Sequence, residues 1–89
     1  MSLHRYWIRF ELHPSQASPR PGCGVTALNY EDALAILSET VFRGKNMPTI
    51  EEVIDDVDIS SLDQKHVIPN MEVPVWRGVW YPKGYSEIR

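Results

Sequence analysis

Polar and apolar residues alternate strictly from His4 to His13. The apolar side of this stretch carries Tyr6, Ile8, Phe10 and Leu12, and the other side carries Arg5, Trp7, Arg9 and Glu11. A period of two predicts a β-strand with one buried face. Residues 14–24 contain three prolines and two glycines, which interrupt a strand ladder, so they predict a surface loop. Residues 24–29 are rich in β-forming side chains and predict a short second strand.

A helical pattern follows in residues 30–42, where apolar side chains recur along one stripe. They are Ala33, Leu34, Ile36, Leu37 and Val41. Asn29 precedes the pattern, and its side chain can accept a hydrogen bond from a free amide of the first turn. Arg43 and Gly44 supply a basic last turn and a stop signal. We expect this helix to lie on the apolar face of the first strand.

A second, shorter helix is predicted from Thr49, because Glu52 follows it at the spacing of a capping box. Its apolar edge consists of Ile50, Val53 and Ile54. We expect this helix to end by Val57. Asp58 is then placed to cap a turn or one further helical turn.

The last strongly patterned segment, residues 72–82, is largely apolar on both faces and predicts a strand within the sheet. The order of elements predicts an α+β fold. It has a small, mostly antiparallel sheet of three to four strands, with one main helix and one short helix packed on one face. The chain has 89 residues, which is the length of a single domain, residues 1–89.

Charge excludes one class of partner. Nine Lys and Arg residues stand against twelve Asp and Glu residues, and the formal net charge is −3. An acidic chain repels phosphate backbones, so we expect no nucleic-acid partner. Apolar runs are only a few residues long, so we expect no membrane association and no secretory leader. The single cysteine, Cys23, cannot form an internal disulfide, which favours a reducing, cytoplasmic location.

The acidic residues cluster in residues 51–63, which contain no basic residue. The acidic residues that we expect to act together are Glu51, Glu52, Asp55, Asp56 and Asp58. Such a cluster can steer a basic partner to the surface, because opposite charges raise encounter rates. The alternative is a solvated surface that keeps a small protein dispersed.

The tryptophans are the strongest candidates for a binding surface. On a strand, Trp76, Gly78 and Trp80 share one face, and the glycine leaves a shallow slot between two indoles. Trp7 projects from the side of the first strand that is opposite its aliphatic residues. We therefore expect all three indoles on the open face of the sheet, where large aromatic patches usually mark binding sites. The alternative is that another part of the chain covers them.

Arg77 lies between Val75 and Val79, on what should be the aliphatic face, where an unpaired guanidinium is costly. Three explanations are open. It can form an ion pair with an acidic residue such as Glu31 or Asp55. A β-bulge at Gly78 can turn the Arg77 side chain outward. Alternatively, Arg77 can bind an anion, since the paired N–H groups of its guanidinium match the oxygens of a carboxylate or phosphate.

Catalytic chemistry has little support. Cys23 and His66 could form a nucleophile and base, but nothing in the sequence positions one against the other. The three histidines lie too far apart for a zinc motif, and no phosphate-binding or hydrolase motif is present, so no metal or cofactor is expected.

Three functions follow as hypotheses. The first is a non-enzymatic protein-interaction module that forms a homodimer or binds a protein partner through Trp7, Arg9, Trp76, Arg77, Gly78 and Trp80. An acidic inhibitor of the immunity type is an analogy for such a module. The second is a small-molecule domain that stacks a planar or anionic ligand on Trp76 and Trp80 beside Arg77. The third is an enzyme that depends on Cys23.

Overall fold

The fold combines one antiparallel sheet with one α-helix. The computed structural model describes residues 2–11, 22–65, 67–82 and 84. In chain order, the described residues form strands β1 (His4–Phe10) and β2 (Gly22–Ala27), helix α1 (Tyr30–Glu39), and strands β3 (Ile50–Asp55) and β4 (Gly78–Tyr81). The short 3-10 turns Ile59–Ser61 and Ile68–Asn70 lie between β3 and β4. The predicted α+β class with a small antiparallel sheet is confirmed.

The sheet has the order β3-β1-β2-β4, and every neighbouring pair is antiparallel. The alternating first strand is therefore central, and β3 and β4 form the two edges. Strand β2 begins at Gly22, so the two glycines that were predicted to lie in a loop belong to a strand. The rest of the predicted loop, residues 14–21, lies outside the described residues.

Helix α1 begins where the sequence predicts. The Asn29 side chain accepts a hydrogen bond from the backbone N–H of Asp32 at 2.8 Å. The helix ends at Glu39, three residues before the predicted end, and the Thr40 hydroxyl donates to the carbonyl of Ile36 at 2.7 Å. The chain then continues as turns to Gly44, whose φ of 74° lies in the left-handed region.

The second predicted helix is wrong, because residues 50–55 form strand β3. A capping box is a local signal, whereas the strand is fixed by pairing with β1. The paired residues are 40 to 49 positions apart in the sequence, and a local pattern does not report so distant a contact. Three of the six residues are β-branched and suit a pleated edge strand. The prediction that Asp58 caps a turn is confirmed, since its carboxylate accepts from the amide of Ser60 at 3.0 Å.

The final strand is shorter than predicted. Regular pairing with β2 covers only Gly78–Tyr81, and residues 72–77 precede it outside any strand. The pairing is irregular between Gly24 and Val25, where two residues of β2 face three of β4. This is a β-bulge, which gives the edge strand a local bend.

Both faces of the sheet are covered by hydrophobic clusters. On one face, α1 packs against β2 and β4, around a buried core of Tyr6, Ile8, Phe10, Cys23, Val25, Ala27, Ala33, Ile36, Leu37 and Val79. The other face carries a smaller cluster of Trp7, Val57, Leu62, Val67 and Trp80. The segment that links β3 to β4 supplies three of these five residues.

Candidate functional site

The tryptophan face is not an open surface. Trp7 is 7% exposed and Trp80 is 1% exposed. Both lie on the face opposite α1, as the alternation predicts, with ring centroids 6.0 Å apart. However, Val57, Leu62 and Val67 pack over them. The expectation of exposed indoles at these two positions is wrong, because the segment after β3 folds back over the second face.

Two glycines create the space for these rings. Gly24 pairs with Trp7 across β1 and β2, and Gly22 pairs with Arg9. A Cβ atom at Gly22 would lie 2.7 Å from a carbon of the Trp7 ring, and one at Gly24 would overlap the Trp80 ring. The useful signal in the sequence is the spacing of two between Gly22 and Gly24, because alternate residues of a strand share one face.

Trp76 is the one indole of the three that is accessible, with 71% exposure. Val73 and Val75 in the same segment are also exposed. Residues 72–77, here called the Trp76 loop, therefore present an apolar surface beside edge strand β4. Trp76 precedes β4 and is exposed, whereas Trp80 is buried within the strand, so Trp80 offers no accessible surface on which a ligand could stack.

The backbone of the Trp76 loop is held at several points. At its start, the Glu72 amide donates to the carbonyl of Trp80 at 2.7 Å. In its middle, the Thr26 hydroxyl donates to the carbonyl of Pro74 at 2.6 Å. Thr26 is itself buried within the sheet. The loop is thus fastened to β2 and β4 while its apolar side chains point away from the core.

Arg77 fastens the end of the loop to helix α1. Its Nε donates to Asp32 at 2.9 Å, and its Nη2 donates to the second carboxylate oxygen. This hydrogen bond lowers the pKa of Asp32, and the same contact raises the pKa of Arg77. The ion-pair explanation therefore holds with Asp32 as the partner instead of Glu31 or Asp55. Gly78 has a φ of 140°, so an unusual backbone conformation at this position accompanies the ion pair.

The acidic residues form a separate surface. Glu51, Glu52, Asp55, Asp56 and Asp58 are all exposed, on or just after edge strand β3. Arg9 belongs to this surface, because its Nη2 lies 2.7 Å from the Glu52 carboxylate and its Nη1 lies 3.9 Å from the Glu51 carboxylate. Arg9 and Arg77 therefore do not flank one site, since β3 and β4 are opposite edges of the sheet.

One group of possible metal ligands was missed by sequence reasoning. The His4 ring lies 3.0 Å from the Asp56 carboxylate, and ligand atoms of His4, Asp55 and Asp56 lie within 4.8 Å of one another. Antiparallel pairing of β1 and β3 brings these residues together although 52 positions separate His4 from Asp56. Exposed groups of this kind commonly occur without an ion, and they define no site by themselves.

The chemistry of Cys23 is that of a buried side chain. The thiol is 4% exposed, and burial raises its pKa to about 12. A nucleophilic cysteine needs the opposite, an accessible thiolate of lowered pKa. His66, the base considered for it, lies outside the described residues.

Comparison with protein families, with curated proteins and with solved structures finds no match for this chain. Within the described ranges, no helix combines the length and the hydropathy needed to cross a bilayer.

Proposed function

We propose that this chain is a non-enzymatic protein-binding module that binds through the Trp76 loop, with a second copy of the chain as its partner. The exposure of Trp76 together with Val73 and Val75, on a loop with a fixed backbone, carries the proposal. Cys23 supports the non-enzymatic part, because its thiol is buried and its pKa is raised. Its unpaired state accords with a reducing, cytoplasmic location.

Trp76 has the properties of an interface anchor. A tryptophan side chain buries roughly 150–250 Å² when it is covered, and tryptophan is enriched among the residues that dominate binding energy. In this chain the hydrogen bond to Pro74 and the pairing of Arg77 with Asp32 already fix the backbone on both sides of the indole. Binding then costs little further ordering of the loop, which favours association.

The distribution of charge favours a second copy as the partner. Within the Trp76 loop, Arg77 is neutralised by Asp32. The five exposed carboxylates lie at the β3 edge, three strand spacings or about 14 Å away. Two chains that meet through their Trp76 loops therefore keep their acidic edges apart. A specific interface buries about 800 Å² per partner, more than three side chains supply, so we expect a dimer that dissociates at micromolar concentration.

Sedimentation equilibrium over a range of concentrations tests this proposal. We expect the wild type to dimerise and Trp76→Ser to remain monomeric, because Trp76 is exposed and its loss removes binding area without opening the core. Ile54→Ser is the matched control, since Ile54 is also exposed but lies on the opposite edge of the sheet. It should dimerise like the wild type.

Tryptophan fluorescence gives a second readout. Emission from Trp76 should shift to shorter wavelength as the concentration rises, because the indole leaves water, and this shift should be lost in Trp76→Ser. A wild type that stays monomeric up to about 0.5 mM, well above the Kd of a specific weak dimer, would refute self-association. So would a dimer that Trp76→Ser leaves intact.

A further inference from the structure

Strand β3 has one side that the described residues leave unpaired. It pairs with β1, and none of the other described strands lies beyond it. An edge strand presents alternate backbone N–H and C=O groups that an extended segment of another chain can pair with. This surface is distinct from the Trp76 loop, which lies beside the opposite edge.

The charge of this edge determines which segments can approach it. Five carboxylates belong to β3 or follow it directly: Glu51, Glu52, Asp55, Asp56 and Asp58. The neighbouring strand contributes Arg5 and Arg9, which leaves a surplus of three negative charges, as large as the formal net charge of −3 of the whole chain. A second copy of β3 would place carboxylates opposite carboxylates, so pairing of β3 with itself is opposed. A basic segment is attracted.

The regular part of the strand is limited to Glu52–Asp55. At one end, the pairing with β1 shifts between Arg9 and Phe10, where Glu51 is the additional residue of β3. At the other end, Asp56 has a φ of 54°, in the left-handed region, and the strand stops. Both features bend the backbone away from a straight ladder, so four residues define the length over which a partner strand can pair.

The four residues Glu52–Asp55 follow one another along the strand in the order acidic, apolar, apolar, acidic. Glu52 and Asp55 are acidic and exposed, and Val53 and Ile54 between them are apolar. Ile54 is 39% exposed, which leaves apolar surface for a neighbour to cover. Cross-strand pairs stabilise a sheet when opposite charges face one another and apolar side chains face apolar ones.

We infer that β3 binds an extended segment of a partner protein with the order basic, apolar, apolar, basic, which adds to the sheet as a fifth strand. Lysine or arginine lies opposite Glu52 and Asp55, and the two apolar residues lie opposite Val53 and Ile54. This order is the same when read in either direction, so it suits both parallel and antiparallel addition. The inference goes beyond the proposed dimer, which leaves the β3 edge free.

The test is a titration of the full chain, at low salt, with a short synthetic peptide that has Lys-Val-Val-Lys at its centre. Amide NMR shifts should change along Ile50–Asp55, and those amides should exchange more slowly with solvent. A peptide of the same composition with the central order Lys-Lys-Val-Val has the same charge and serves as the control. It should bind more weakly, because its charges and apolar residues are out of register.

Variants of the chain test the acidic contacts. Asp55→Asn should weaken binding roughly two- to fivefold, the size of one cross-strand charge pair. Glu31→Gln, which removes one exposed carboxylate from helix α1 instead, should leave the affinity unchanged. Both variants retain the Trp76 loop, so sedimentation should still report the proposed dimer whatever the outcome at β3.

Three results would overturn the inference. One is no shift along β3 at about 1 mM peptide, since a specific site should be measurably occupied there. The second is equal binding of the two peptide orders, which would indicate general attraction to an acidic surface. The third is a set of shifts centred on residues 72–77, which would place the peptide at the Trp76 loop.

Discussion

Gly24→Ala should destabilise the fold strongly, although it adds a single methyl group. The new Cβ would overlap ring atoms of Trp80, a side chain that is 1% exposed and enclosed by Trp7 and the segment after β3. Neither the indole nor the central strands can move away freely. Overpacking of a close-packed core costs typically 1–3 kcal/mol, and the overlap with a rigid ring places this variant near the upper end. For a domain of this size, that corresponds to a fall in Tm of roughly 10–20 °C.

The assay is urea unfolding followed by far-UV circular dichroism. A double-mutant cycle with Trp80→Leu isolates the contact, because the smaller side chain leaves room for the methyl group. Gly24→Ala should cost about 2–3 kcal/mol in the wild type and much less in the Trp80→Leu background. A loss below about 0.5 kcal/mol, the range of ordinary surface substitutions, would refute the packing of Trp80 on Gly24.

Two further predictions concern buried chemistry and pH. Cys23 should react with iodoacetamide only in urea, because a pKa of about 12 leaves on the order of 10⁻⁴ of the thiol ionised at pH 8. Mass spectrometry measures the labelling, and rapid labelling of the native protein would contradict this prediction. Asp32→Asn should cost about 1 kcal/mol at pH 7 by breaking the pair with Arg77. Because the folded pKa of Asp32 lies below its ordinary value of 3.8, that stabilisation is present above this pH and is lost as the pH falls through the folded value. Urea unfolding should therefore find the two proteins different at pH 7, with a difference that shrinks as the pH falls below 3.8, whereas a difference that stays constant with falling pH would argue against the ion pair.

The sequence predicted those elements whose signals are local and mutually consistent. The alternation of β1 and the capping of α1 by Asn29 both appear in the structure, because each pattern fits one element type. Residues 49–57 carry two conflicting signals, a capping box and five β-branched residues. Pairing with β1 decides between them, and a contact so distant in sequence leaves no mark in the local pattern.

The candidate site was predicted only in part for a related reason. Alternation placed Trp7 and Trp80 correctly on the second face of the sheet, but it does not report what covers that face. The covering residues Val57, Leu62 and Val67 come from an irregular segment without a strong period. In contrast, the glycines at positions 22 and 24 did indicate that large side chains pack on this face of the sheet. Two glycines on one face of a strand leave space that large neighbouring side chains fill.

The same packing explains why Trp76 differs from the other two indoles. The Trp7 ring lies against Gly22 and the Trp80 ring against Gly24, so both rings occupy space that a side chain on β2 would otherwise fill. Trp76 precedes β4, in a loop whose polar groups are fixed to Thr26 and Asp32 while its apolar side chains remain in water. Within the part of the chain that the structure describes, the indole is 71% exposed although its loop is held in place, and the proposed association would remove this apolar surface from water.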